Sequence, residues 1–226
     1  MSIIQLVFYI LAAGLTITGI TVKDNMKSVK ILAAQALTVI LVNLVYYLQQ
    51  IILGAYQLSI YDLEALVIEI LVTIIVIPLI IRIVKASFLI SKALKTASPS
   101  YIPPIIEFKK TLPAILGFNT VFLCFSIYMF YTSILPGELL MLPLSILIFI
   151  NSVIGMILNR DAVKIIVALN MAINAFTPLL SSLPLPYIIL ELTSLILVNI
   201  IAVFIIVEML KKYKTINVSE WSVNYD

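Results

Sequence analysis

Five polar side chains lie inside long apolar segments of this chain and are of types able to carry chemistry there. Glu69 and Glu191 are carboxylates, and Gln35, Asn170 and Asn174 are amides. An ionisable group inside a membrane segment marks a proton or ion pathway by default. A buried amide in such a segment either joins helices by hydrogen bonds or lines a hydrated path.

The spacing of the amides indicates which of them share a helix face. Asn170, Asn174, Thr177 and Ser181 follow one another at i, i+4, i+7 and i+11, so they form one polar row on a continuous helix. Pro178 follows on the same helix and releases a backbone carbonyl nearby. Both interhelical hydrogen bonding and a hydrated lining are consistent with this row.

Glu69 has the setting expected of a functional carboxylate. It lies near the middle of its apolar segment, and Asp62, seven residues earlier, falls on the same helix face. The two residues would lead a proton or cation inward from the membrane surface. Glu191, in the first half of the last apolar segment, is the second ionisable candidate.

The composition requires membrane helices to place these residues. Of the 226 residues, 63% are hydrophobic and 11% are charged, whereas soluble domains have about 45–50% and about 25%. Apolar runs recur along the whole chain, which excludes a signal peptide followed by a globular body. The sequence therefore predicts an all-α, polytopic protein whose solvent is the lipid bilayer, with no nucleic-acid partner.

The residue inventory also excludes several chemistries. The chain has no histidine and a single cysteine, Cys124, so bis-His haem ligation, the usual His-containing metal sites, an internal disulfide and an iron–sulfur cluster are not available. Neither a Walker A segment nor a GxGxxG segment occurs. We expect no catalytic residue, no cofactor, no metal site and no catalysis by this chain alone.

A helix that crosses a bilayer needs roughly 20 apolar residues, and such segments recur along the chain. The predicted spans cover residues 3–22, 29–55, 62–84, 112–134, 139–158, 163–183 and 185–210. They predict a seven-transmembrane helix bundle. Residues 1–210 would form the membrane domain, residues 85–111 a long cytoplasmic loop, and residues 211–226 a cytoplasmic C-terminal tail.

The positive charges predict the orientation of the bundle. With seven spans, all 14 lysine and arginine residues fall on the side that carries the odd-numbered loops and the C-terminus. The opposite side carries Asp62 and Glu138 instead. Cytoplasmic loops are the ones enriched in lysine and arginine, so a multi-pass protein of the cell membrane is predicted, with its N-terminus outside and its C-terminus in the cytoplasm.

Spans one to three and spans five to seven resemble two copies of one unit. Each copy has a glycine near the end of its first helix, Gly19 or Gly155, followed by a tight charged turn. Each then restarts with Val-Lys-Ile and an aliphatic residue, at 29–32 and 163–166. A 3+1+3 repeat, with both copies in the same orientation, would explain this pattern, and chance similarity between two apolar hairpins is the alternative.

Several segments in order resemble one family of membrane subunits. They are Leu142–Leu183 with its turn Asn159–Lys164, Ala33–Leu37, Ile77–Ile80 and Lys211–Val218. This series is similar to the hydrogenase-4 component E family, the membrane subunits of formate hydrogenlyase-type hydrogenases, and to the small K subunit of respiratory complex I. The resemblance implies a subunit without a redox centre that packs beside antiporter-like subunits and helps couple electron transfer to ion movement.

The chain departs from this family pattern at three ionisable positions. Asn170 occupies the position that matches a membrane glutamate of the K subunit, and Ile173 precedes Asn174 where component E has a glutamate. Thr73 stands where the family has a lysine, although Gln35 matches a glutamine of the family. A direct proton relay through the second and sixth spans is therefore in doubt.

The sequence thus predicts a non-catalytic membrane-arm subunit of a complex I-related, energy-converting oxidoreductase. It would help couple electron transfer to proton or sodium translocation, with Glu69 and Glu191 as ionisable participants. Gln35, Asn170 and Asn174 would hold hydrogen bonds or line a hydrated path. The alternative is a stand-alone transporter for small solutes, in which Pro78, Pro143 and Pro178 would be hinges of the 3+1+3 arrangement.

Overall fold

The computed structural model describes residues 3–52, 108–132, 141–180, 185–213 and 215–220, together with single positions between 67 and 85. Regular structure in this part of the chain is helical, which confirms the all-α class. The helices are α1 (Ile3–Thr21), α2 (Asn25–Ile52), α3 (Phe108–Thr132), α4 (Leu142–Leu158), α5 (Ala162–Asn174), α6 (Thr177–Leu180) and α7 (Leu185–Tyr213), and a 3-10 helix covers Val218–Glu220.

Three of the described helices are long and apolar enough to cross a bilayer. They are α1 over its full length, α2 over Asn25–Gln49 and α3 over Lys110–Met129. Helices α4 and α5 are also apolar but shorter, with 17 and 13 residues. These helices support a membrane protein. Most of the third predicted span, including Glu69, lies outside the described residues, and so does most of the loop 85–111. The count of seven spans therefore stays a prediction.

Helix α2 begins earlier than its apolar run, at Asn25. The side chain of Asp24 accepts a hydrogen bond from the backbone N–H of Met26 at 2.7 Å. Asp161 does the same for α5, where its Oδ1 atom accepts from the backbone N–H of Val163 at 2.9 Å. A carboxylate at this position satisfies N–H groups that the first helical turn leaves unpaired, so polar residues start both helices.

The sixth predicted span, expected to be continuous over residues 163–183, is interrupted. Helix α5 ends at Asn174, and the short helix α6 starts at Thr177. Between them the N–H of Phe176 bonds to the carbonyl of Ile173, a tighter three-residue turn. Pro178 explains the interruption, because its ring has no N–H to bond to the carbonyl four residues earlier and crowds that carbonyl.

The core consists of two helical hairpins, α1–α2 and α4–α5, lying side by side. Helix α1 packs on α4, and α2 packs on α5. Residues that are 136 positions apart in sequence form hydrogen bonds at three levels between the two hairpins. These pairs are Tyr9–Ser145 at 3.3 Å, Asn25–Asp161 at 2.8 Å and Gln35–Met171 at 3.4 Å.

Two glycines allow the hairpins to approach closely. A Cβ atom added at Gly155 would lie 2.5 Å from Cγ2 and 2.9 Å from Cβ of Ile20. A Cβ atom added at Gly19 would lie 2.5 Å from Cε of Met171. Small residues at helix contacts are typical of membrane bundles, because van der Waals packing between helices replaces the hydrophobic driving force.

The two hairpin turns and residues 215–220 lie at the same end of this core. The backbone of Ala162 donates to the carbonyl of Ile216 at 3.1 Å, and the backbone of Val218 donates to the carbonyl of Arg160 at 2.8 Å. These bonds flank the β-bridge of Asp161 with Asn217. The charge pattern predicts a shared side for these three segments, and the arrangement agrees; which side of a membrane it is stays a prediction.

Candidate functional site

Asn170 and Asn199 form a reciprocal amide pair between α5 and α7. The Nδ2 atom of Asn170 donates to Oδ1 of Asn199 at 2.8 Å, and Nδ2 of Asn199 donates to Oδ1 of Asn170 at 3.0 Å. Nδ2 of Asn170 also donates to the carbonyl of Ile166, one turn earlier, at 2.9 Å. Both asparagines are buried, with 2% and 1% of their surface exposed, so the pair satisfies amide groups that would be costly to bury alone.

Gln35 connects α2 to the end of α5. Its Oε1 atom accepts a hydrogen bond from Nδ2 of Asn174 at 2.9 Å, and its Nε2 atom lies 3.4 Å from the carbonyl of Met171, a long hydrogen bond. Gln35 is fully buried, and Asn174 is half-buried. The structure therefore brings together two of the residues singled out from the sequence, one on each hairpin.

Helix α5 joins these two contacts into one buried amide network, defined as Gln35, Asn170, Asn174 and Asn199. Asn170 and Asn174 are one helical turn apart, so α5 binds α7 through the first and α2 through the second. Beyond Asn174 the predicted polar row does not continue along the same helix, because α5 ends there. Ser181, the last residue of that row, lies outside the described residues.

A separate amide pair attaches α3 to the core. Nδ2 of Asn119 donates to Oδ1 of Asn151 at 2.9 Å, and Nδ2 of Asn151 donates back to Oδ1 of Asn119 at 2.7 Å. The sequence reasoning did not single out Asn119 or its pairing, and it did not rank Asn199 among the site residues. The available signal was the residue type, since an amide in an apolar helix needs a partner.

The two carboxylates predicted to be ionisable participants are not part of the described network. Glu69 lies outside the described residues. Glu191 lies on α7, eight residues before Asn199, which is about 12 Å along a helix axis. Its side chain is also outside the described residues, so its role as an ionisable participant stays a prediction.

The chemistry of the amide network is that of neutral hydrogen bonding. An amide side chain both donates and accepts, and it does not exchange a proton near neutral pH. The network can fix the register of three helices and orient a water molecule or a polar ligand. Among the residues that the structure describes, no group of three or more His, Cys, Asp or Glu side chains is arranged to hold a metal ion.

Comparison of the chain with family models, with curated proteins and with solved structures found no match. The resemblance to hydrogenase-4 component E therefore stays an expectation from the short sequence segments given above. What the fold and the amide network indicate about function follows from the hydrogen bonds and the packing of the residues themselves.

Proposed function

We propose that this chain is a non-catalytic membrane-arm subunit of a complex I-related, energy-converting oxidoreductase, similar to hydrogenase-4 component E. In this proposal seven helices cross the cell membrane, with the N-terminus outside and the C-terminus in the cytoplasm. Its partners are antiporter-like and other membrane-arm subunits, and the enzymatic activity belongs to the assembly. The subunit helps couple electron transfer to the movement of protons or sodium ions.

The neutrality of the buried network is the observation that carries this proposal. Gln35, Asn170, Asn174 and Asn199 join three helices through side-chain hydrogen bonds. An interhelical amide network holds helices at fixed positions but does not pass protons from one residue to the next. This favours a connecting role for the second, sixth and seventh predicted spans, with Glu69 as the protonatable group.

The apolar faces of the bundle support residence in a membrane and leave room for neighbouring subunits. Helix α3 packs on α4 but exposes a broad apolar surface that includes Phe118, Val121 and Phe125. Helix α7 exposes Ile200 and Phe204 in the same way. Such faces are covered by lipid or by neighbouring membrane subunits.

The two hairpins also support the proposed 3+1+3 repeat. Both consist of an apolar helix, a short turn with a capping aspartate and a second apolar helix. They lie side by side with their turns at the same end. Two copies in the same orientation would have this arrangement.

The test of assembly is gentle extraction of native membranes followed by a native gel and mass spectrometry of the proteins that migrate with the tagged chain. We expect an assembly of several subunits with iron–sulfur and antiporter-like partners. Recovery of the chain alone or as a few identical copies would contradict the proposal.

The test of the carboxylate is Glu69→Gln in the assembled complex. Ion pumping per electron should fall, while the migration of the complex on the native gel should not change. Unchanged pumping would remove Glu69 from the mechanism but would leave the subunit assignment intact.

The interrupted helix favours a second candidate function, a stand-alone transporter for small solutes. Transporter sites often lie where a membrane helix is broken, because the break frees backbone groups to bind a substrate. Here the break at Ala175–Phe176 directly follows Asn174, which is bonded to Gln35. Solute uptake by liposomes that contain the purified chain alone would favour this candidate over the subunit.

A further inference from the structure

Asp161 is a carboxylate in an unusual position. It is 3% exposed, at the turn between α4 and α5. Its Oδ1 atom accepts from the backbone N–H of Val163 at 2.9 Å, and its Oδ2 atom accepts from Nδ2 of Asn25 at 2.8 Å. Taking an ionised carboxylate out of water is costly unless it is well paired, so its burial has to depend on the segments that cover it.

Three segments meet at Asp161. Asn25, the first residue of α2, follows the turn between α1 and α2 and bonds to Asp161, which belongs to the turn between α4 and α5. Asn217 belongs to the C-terminal segment 215–220 and pairs with Asp161 through the β-bridge. The side chains of two residues paired across an antiparallel bridge lie on the same side. The bridge and its flanking backbone bonds therefore place the C-terminal segment directly beside Asp161.

We propose that Asp161 is a proton-binding site that controls the docking of the C-terminal segment 215–220. Protonated Asp161 favours the docked segment, and ionised Asp161 favours its release. The proposal does not depend on the proposed function, since it concerns contacts within this one chain.

The hydrogen-bond inventory around Asp161 fits a protonated carboxyl group. Oδ1 of Asn25 is buried and has no hydrogen-bond partner in the described structure. An ionised Asp161 has no hydrogen to donate to it, whereas a protonated one has an O–H group. The acceptor without a partner, Oδ1, and the donor to Asp161, Nδ2, thus belong to the same Asn25 side chain.

The electrostatics give the direction of the switch. Burial raises the pKa of Asp161 above its ordinary value, and the hydrogen bonds from Asn25 and Val163 and the charge of Lys164 oppose this effect without cancelling it. A docked state that binds the proton more tightly than the released state is stabilised by protonation. Docking therefore weakens as the pH rises through the pKa of Asp161.

The charged groups of the three segments are mixed in sign. Lys164, on the first turn of α5, is 2% exposed and acts on Asp161 through its charge. The remaining charged residues of the described turns and tail are Lys23, Asp24, Arg160 and Glu220. Glu220 accepts from the side chain of Asn217 at 2.6 Å, so it stabilises the turn that presents Asn217 to Asp161.

The test measures release of the segment by thiol labelling of the full chain in lipid nanodiscs, which expose both membrane faces. The exposed native thiol is removed with Cys124→Ser, and the probe is Val218→Cys, at a half-buried position packed on the core. Lys27→Cys, at an exposed position on α2, reports the pH dependence of thiol ionisation. The measured quantity is the ratio of the two labelling rates between pH 4 and pH 8.

We expect this ratio to rise with pH, by up to about tenfold per pH unit for one coupled proton, and to level off at both ends. In Asp161→Asn the ratio should stay low at every pH, because asparagine caps a helix well and remains neutral. Asp24→Asn, which alters the matching cap of α2, should keep the rise of the parent chain.

A ratio that does not change with pH in the parent chain would overturn the proposal without any need for the variant. An equal rise in parent and Asp161→Asn would also overturn it, because another group would then control the segment. Elution of each variant on size exclusion verifies that it is folded before labelling.

Discussion

Asn170 on α5 and Asn199 on α7 hold each other through two hydrogen bonds of 2.8 and 3.0 Å, although they are 29 residues apart in sequence. Each amide both donates to and accepts from the other, so removal of Asn199 leaves the buried Oδ1 atom of Asn170 without this donor, while Nδ2 of Asn170 keeps its bond to the carbonyl of Ile166. Among the described residues, the pair therefore joins α7 to the hairpin core by hydrogen bonds, beside the apolar packing of Val203 and Ile206.

A double-mutant cycle with Asn170→Leu and Asn199→Leu tests this contact. Each single change should lower the free energy of unfolding by about 1–3 kcal/mol, because it removes both hydrogen bonds between two buried amides. The double variant should be more stable than the sum of the two losses predicts, by about 0.6 and at most about 1.7 kcal/mol, as found for hydrogen bonds between membrane helices. The measurement is reversible unfolding in detergent, and strict additivity would show that the pair is not coupled.

The attachment of α3 depends on the amide pair of Asn119 and Asn151. Asn151→Leu should weaken the attachment of α3 to α4, while Phe122 and Leu123 still pack on the core. The α1–α2 hairpin should stay intact, because no hydrogen bond of the described structure joins it to Asn119. Hydrogen exchange should increase in α3 and remain unchanged in α1. Thr120→Val, next to Asn119 but bonded within its own helix, is the control and should change neither.

The glycine contacts predict an unequal response to added methyl groups. Gly155→Ala should be the more harmful change, because the new Cβ would meet the β-branched carbon of Ile20; overpacking costs about 1–3 kcal/mol. Gly19→Ala should cost less, because its shortest contact is with the flexible end of Met171, and Cγ2 of Ile31 lies farther away, at 3.2 Å. Thermal unfolding midpoints give the ranking, and equal losses would contradict it.

Gly14 and Gly117 provide matched controls for that series. A Cβ atom added at either position has no atom within 4 Å apart from its own helix and neighbours. Alanine there should be neutral or stabilising, by up to about 1 kcal/mol, because alanine has the higher helix propensity. A loss at these positions as large as at Gly155 would mean that the contact with Ile20 is not the cause.

The stability of the folded chain should depend on pH through Asp161. Burial raises the pKa of Asp161 in the folded state, while an exposed aspartate in the unfolded chain has a pKa of about 3.9. Between these two values the folded state binds more protons, so the free energy of unfolding falls as the pH rises from about 4 through the raised pKa. Asp161→Asn should reduce this slope, and Asp24→Asn should leave it as in the parent chain.

The sequence alone determined the helical class of this protein and the residue types of its site. Composition and apolar runs predicted helices, which the structure confirms for the described residues. Gln35, Asn170 and Asn174 were identifiable as residues needing partners, because an amide in an apolar segment is costly unless it is hydrogen-bonded. The helix break was less evident, although Pro178 supplies its local cause.

Tertiary structure decided which of these residues meet. Gln35 and Asn174 are 139 residues apart, and Asn25 and Asp161 are 136 residues apart. A membrane helix is apolar on the side that faces lipid and on the side that faces its neighbours, so its periodicity does not reveal which face packs inward. Only the packing of the two hairpins, set by close contacts such as that of Gly155 with Ile20, brings those polar groups within hydrogen-bonding distance.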